Sequence, residues 1–155
     1  MNRRVLIIGC GNPLRQDDGI GWRAAQLVEE RLSNGAAEVI TCHQLTPELA
    51  AKLHSASVVL FLDAAADEPP GRICFQAVRP REPGAWTHHL LPEQLLGLAR
   101  QCQGTLPSAF SIGGGTHRMG FGDGLSATAE ECAARIAALA LCIIDSEDDS
   151  HDRPI

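Results

Sequence analysis

Two runs, Arg4–Gly9 (RVLIIG) and Ser57–Leu62 (SVVLFL), are apolar almost throughout instead of at alternate positions. A strand with one wet face alternates. A strand without alternation is covered on both faces, as in a parallel sheet with helices packed above and below. The chain between the runs supplies those helices. Ile20–Leu32 carries Ile20, Ala24, Leu27, Val28 and Arg31 along one side and is stopped by Asn34-Gly35. Glu38–Cys42 follows as a strand. Thr46-Pro47-Glu48 then starts a short helix, with an N-cap hydroxyl and Pro at the first helical position, ending near His54.

Asp63 closes the third strand, and only about eight residues, with Pro69-Pro70-Gly71 among them, separate it from the next, Arg72–Val78. A parallel crossover needs a dozen or more. The fourth strand is therefore expected to be antiparallel and at or near a sheet edge. A helix over Pro92–Cys102 and a fifth strand over Ala109–Gly113 come next. The last helix runs from Ser126 or Thr128 to Ile144, with Thr128 and Glu131 fitting a capping box and Ala129, Cys132, Ile136, Leu139 and Ile143 as its apolar stripe. Strands alternating with helices predict a three-layer α/β/α sandwich on a five-stranded, mostly parallel sheet. One domain is expected over residues 1–144, followed by an acidic, disordered tail over 145–155 (DSEDDSHDRPI).

A length of 155 residues suits one domain with a buried core, and the 45% apolar content is that of a globular protein. Aromatics are 4% and Tyr is absent, so Ala, Leu, Val and Ile must build that core. The net charge of -6 and the lack of any basic stripe argue against nucleic-acid binding. The apolar run after Met1-Asn2-Arg3-Arg4 is too short to span a membrane and lacks a signal-peptide cleavage pattern. A cytoplasmic monomer is expected. The six cysteines (Cys10, Cys42, Cys74, Cys102, Cys132 and Cys142) form no C-x-x-C pair and sit mostly in apolar runs, which predicts reduced, mainly buried thiols.

The most informative segment is Gly9-Cys10-Gly11-Asn12-Pro13-Leu14-Arg15-Gln16-Asp17-Asp18-Gly19-Ile20-Gly21. It opens as a dinucleotide-binding turn does, with G-x-G after a strand, but the third glycine would fall at Leu14. Asp17 and Asp18 also occupy the helix entrance, where a pyrophosphate would sit. A nucleotide site is excluded. One aspartate can cap the helix; a second beside it raises repulsion and calls for a cation or a proton.

That segment matches G-x-G-N-x-L-x-x-D-(D/E)-G-x-G after an N-terminal strand, and so resembles the hydrogenase maturation proteases. The resemblance implies that Asp18, the second acid of the pair, is a metal-binding carboxylate. It implies a second ligand at Asp63, which ends Val58-Val59-Leu60-Phe61-Leu62-Asp63. The third would be a histidine before the following helix, in Trp86-Thr87-His88-His89-Leu90, where His88 aligns better than its neighbour His89. The implied activity is an endopeptidase that trims the C-terminal peptide of a NiFe hydrogenase large-subunit precursor once nickel is in place. The nickel would arrive with the precursor, be recognised by Asp18, Asp63 and His88, and be held only weakly by the free enzyme. Asn12, Asp17 and His89 would support that site or contact substrate.

Physical chemistry supports a shared site. Ligands of open α/β sheets bind beyond the carboxyl ends of strands. If strands one and three are neighbours, Asp63 and the Asp17-Asp18 loop face one crevice. Carboxylates with an imidazole suit nickel, zinc or copper and leave positions open. A carboxylate after five apolar residues is costly unless used, which favours a function for Asp63. Asp17 reads better as a cap or supporting group than as a ligand, and Asn12 as a turn former. Gly113–Gly124 is rich in glycine and reads as a mobile connector or a flexible cleft wall, with His117 and Arg118 in reach of a peptide. Two rivals stay open: a nickel-dependent docking or chaperone protein that does not cut, and a small-molecule metallohydrolase.

Overall fold

The computed structural model describes residues 4–33, 35–82, 84, 89–103 and 105–149. Five strands form one sheet: β1 (Val5–Cys10), β2 (Ala37–Cys42), β3 (Val58–Ala65), β4 (Ile73–Ala77) and β5 (Ser108–Gly115). Their order is β2-β1-β3-β5-β4, with β4 alone antiparallel. The short connection after β3 places β4 at the far edge, as expected, but it pairs with β5 and not with β3.

Helix α1 (Ile20–Arg31) and α4 (Ala127–Asp149) cover one face, burying Val5, Ile7, Leu60 and Leu62 with Val28, Ile136 and Ile144. The short α2 (Ala50–Leu53), entered through a 3-10 turn at Pro47–Leu49, and α3 (Pro92–Gln103) cover the other face, over Leu6, Ile8, Val59 and Phe61. Each strand's alternate residues thus meet a different apolar layer, which accounts for runs without polar alternation.

Several boundaries differ from expectation. Asp63 does not end β3, which continues through Ala65 alongside Gly113–Gly115 of β5. Those glycines are strand, not connector. Ser126 is the residue that caps α4, its Oγ accepting from Ala129 N at 3.2 Å. That contact replaces the Thr128–Glu131 box. Thr46 makes no side-chain cap to its helix. α4 buries Ala129, Cys132, Ala133, Ile136, Ala137, Ala140 and Ile144, while Leu139 is left exposed. The helix continues to Asp149, so residues 145–149 are helical and not tail; 150–155 lie outside the described residues. Cys10 and Cys132 are buried, but Cys102 and Cys142 are exposed, so the thiols are less uniformly buried than the apolar runs suggest.

From β1 the chain crosses through α1 to β2 on one side, then returns past β1 to β3 on the other. The carboxyl ends of β1 and β3 therefore border the crevice where crossovers diverge. Glycine brings α1 right up to that crevice. A Cβ on Gly21 would fall 2.3 Å from Leu62 O and 2.4 Å from Cys10 O, so only hydrogen fits there. No helix of the described residues is long and apolar enough to cross a membrane.

Candidate functional site

The chain leaving β1 is folded by its own polar atoms. Gly11 takes φ 133, open only to glycine, and its N–H donates to Cys42 O at 3.1 Å. Asn12 Oδ1 accepts from Leu14 N at 2.9 Å and so shapes the turn. Asn12 N donates to Asp18 Oδ2 at 2.9 Å, which orients that carboxylate across the loop. Gln16 is held at φ 51, the left-handed conformation that side chains normally avoid.

What holds the loop there is the segment before α4. Gln16 N donates to Gly122 O at 3.2 Å, Gly122 N to Leu14 O at 3.0 Å, and Asp17 N to Arg118 O at 2.9 Å. Asp17 is fully buried and accepts from His117 N (2.8 Å), Arg118 N (3.0 Å), Ser126 N (2.8 Å) and Ser126 Oγ (2.9 Å). Burial pushes its carboxyl up, but those bonds outweigh it and hold the pKa below the ordinary 3.8. Asp17 is thus neither helix cap nor ligand. It is the peg on which the glycine-rich segment hangs, and His117 and Arg118 serve it through their backbones.

Asp18 and Asp63 open into one cleft of about 620 Å³, together with Asn12, His89, Cys10 and Gln76. Asp63 is an exposed residue of β3, but its carboxyl lies inside the cleft, among its walls. Desolvation there, together with repulsion from Asp18, raises its pKa from 3.8 to about 7, against a hydrogen bond from Ala64 N at 2.7 Å. Neither carboxylate enters an ion pair among the described residues. Two carboxylates that repel across an open cleft are the condition for sharing a proton or a cation. The donor set fits a borderline divalent ion through oxygen, although no group of three or more His, Cys, Asp or Glu among the described residues forms a ready-made cluster. His88 lies outside the described residues, while its neighbour His89 is in the cleft wall.

Beside Asp63 lie two thiols that the sequence reading underrated. Cys10 Sγ and Cys42 Sγ are 3.8 Å apart at the matched carboxyl ends of β1 and β2. The Cys42 contact and then burial push the Cys10 thiol far above its usual range, and the Cys10 hydrogen bond lowers that of Cys42. Either thiol can donate to the other. Cys42 O also accepts from Trp22 Nε1 at 2.9 Å, which ties α1 to the end of β2. Trp22→Phe should cost about 1 kcal/mol, seen by calorimetry as a midpoint about 2–4 °C lower for a chain of this size.

The fold is that of solved hydrogenase maturation proteases. A NiFe hydrogenase maturation protease from Thermococcus kodakarensis is similar at 23% identity and a TM-score of 0.74, over 92% of each chain. A hydrogenase maturating endopeptidase from E. coli is similar at 22% identity and a TM-score of 0.75, over 92% of this chain and 93% of that one. A hydrogenase 2 maturation peptidase from a Thaumarchaeota archaeon is similar at 26% identity and a TM-score of 0.71, over 92% and 99%. No protein-family profile and no curated protein matches the sequence. The resemblance carried by the loop after β1 thus extends through the fold of nearly the whole chain.

Proposed function

We propose that this protein is the endopeptidase that removes the C-terminal peptide of a NiFe hydrogenase large-subunit precursor after nickel insertion. The observation that carries the reading is the pair Asp18 and Asp63, unpaired with any base among the described residues and open to one cleft at the switch point of this fold. Nickel held by the precursor is part of the substrate. Asp18 and Asp63 would approach it as oxygen ligands, with His88 or His89 as nitrogen donor, and the free enzyme would hold it weakly. A bound divalent ion supplies Lewis acidity or positions a water.

The chain's own residues do the rest. Asn12 fixes the Asp18 carboxylate through its backbone N–H. A pKa near 7 lets Asp63 carry a proton and lose it when a cation arrives. The test is direct. Purified protein mixed with nickel-loaded precursor should shorten it by one C-terminal peptide, read as a mass loss, while nickel-free precursor stays intact. Binding without mass loss would leave a docking protein. Hydrolysis of unrelated amides without any precursor would leave a metallohydrolase.

A further inference from the structure

The large apolar side chains that face water among the described residues are Leu14, Phe75, Leu91, Phe121 and Leu139. Leu14, Leu91 and Phe121 gather at the mouth of the cleft that holds Asp18 and Asp63. Leu91 lines that cleft, and so does Arg15, which follows Leu14 in the chain. The Arg15 guanidinium stands over the Phe121 ring, 5.3 Å from its centroid. Phe121 itself lies outside the cleft lining and is 88% exposed. Leaving a phenyl ring in water forfeits the gain of burying it. Here the backbone holds the ring out. Gly122, the next residue, donates its N–H to Leu14 O and accepts from Gln16 N, in the turn where Gln16 is strained. The same segment hangs on buried Asp17 through His117 N, Arg118 N and Ser126 N. An exposed aromatic on a pinned backbone loses little conformational freedom when a partner covers it.

We propose that Phe121 and Arg15 are the docking anchor for the protein substrate, the ring entering an apolar pocket on the precursor and the guanidinium meeting a carboxylate beside it. The inference rests on the protease reading, which supplies the occupant. Continuity supports it. Arg15 belongs both to the cleft and to the exposed patch, so a polypeptide running into the cleft passes beneath the Phe121 ring. Phe121 stands beyond the lining, so only a partner that extends past the cleft mouth covers it. Charge supports it too. The chain carries a net charge of -6 and two aspartates inside the cleft, yet Arg15 places a cation at the mouth. That cation enters no ion pair among the described residues. It attracts an acidic partner surface that the cleft interior repels, which fixes the orientation of docking. Aromatic residues and arginine are also the side chains enriched where protein interfaces are most buried.

Steady-state processing of nickel-loaded precursor by the full-length protein separates docking from chemistry. Phe121→Ala should raise KM about tenfold or more and leave kcat within about twofold, because it removes binding that the cleavage step does not use. Phe121→Tyr keeps the ring and should restore the parent KM. Arg15→Gln should raise KM and make it less sensitive to added salt. Leu139→Ala trims an exposed apolar residue of α4 outside the cleft and should change neither constant. Thermal midpoints of Phe121→Ala and the parent should coincide, since little of the ring is buried in the fold. An unchanged KM in Phe121→Ala, or an equal rise in Leu139→Ala, would overturn the anchor and leave the protease reading standing. A parent that cuts no precursor would sink both. A dimeric parent made monomeric by Phe121→Ala, at unchanged KM, would assign the ring to a second copy of this chain.

Discussion

Asp63→Asn should slow precursor processing by a hundredfold or more while the protein stays folded, and Asp18→Asn should do the same. The magnitude follows from what amides can offer. Asn keeps the size of Asp but replaces an anionic oxygen with a neutral one. Loss of merely supporting partners at metal sites already costs about 10–100-fold, so loss of a direct oxygen ligand costs at least as much. The fold tolerates the change because neither carboxylate holds elements together: Asp18 accepts one backbone N–H from Asn12, and Asp63 one from its own neighbour Ala64. Ionised Asp63 is in fact a burden to the fold. Its native pKa of about 7 lies above the ordinary 3.8, so its contribution to stability is greatest below pH 4 and declines as pH rises toward 7. Asp63→Asn should therefore be at least as stable as the parent at pH 8, in thermal melts, while its cleavage rate collapses. Stability and activity moving in opposite directions mark a group kept for function. Full processing by Asp63→Asn would remove the proposed site.

The layers of the fold were legible because they rest on burial. β1 and β3 announce themselves by apolar runs that only a doubly covered sheet can use, and the short connection to β4 forces an antiparallel edge. What was not legible depends on contacts between distant segments. Gly113–Gly115 look flexible in sequence, yet a strand whose neighbours crowd it needs residues without side chains; a Cβ on Gly114 would sit 3.1 Å from that of Cys132. In α4 the sequence offers Leu139 and Ile143 to a stripe; Ile143 does pack against the core, but Leu139 is exposed, and alanines take much of the buried face and let the helix approach α1 closely. Of the site, Asp18 and Asp63 could be placed together once β1 and β3 were neighbours. Cys42 could not, because only the register β1 to β2 sets it beside Cys10. Asp17 and Asp18 are adjacent acids, and composition cannot say that one faces the core and the other the cleft.

That division yields the second large effect: Asp17→Asn should lower stability by about 2–4 kcal/mol, a midpoint drop of roughly 5–15 °C. Asp17 accepts four hydrogen bonds, three from backbone N–H groups and one from the Ser126 hydroxyl, with no exposure to water. An amide presents one oxygen and an NH₂. Whichever way it turns, its own donors face others and leave at least one buried N–H unpaired. The segment 117–126 then loses its peg, and with it the bonds that keep Gln16 in its strained turn. Asp123→Asn, on the same segment but exposed, should change the midpoint little. The pH dependence identifies the cause. Asp17 titrates below 3.8 in the native state, so its contribution is present above that value and is lost as pH falls through the native pKa. The gap between parent and Asp17→Asn should therefore narrow on acidification below about pH 4, a window separate from the pH 4–7 range in which Asp63 acts. A gap that stays constant down to pH 2 would assign the loss to altered packing and not to the charge that these four donors hold in place.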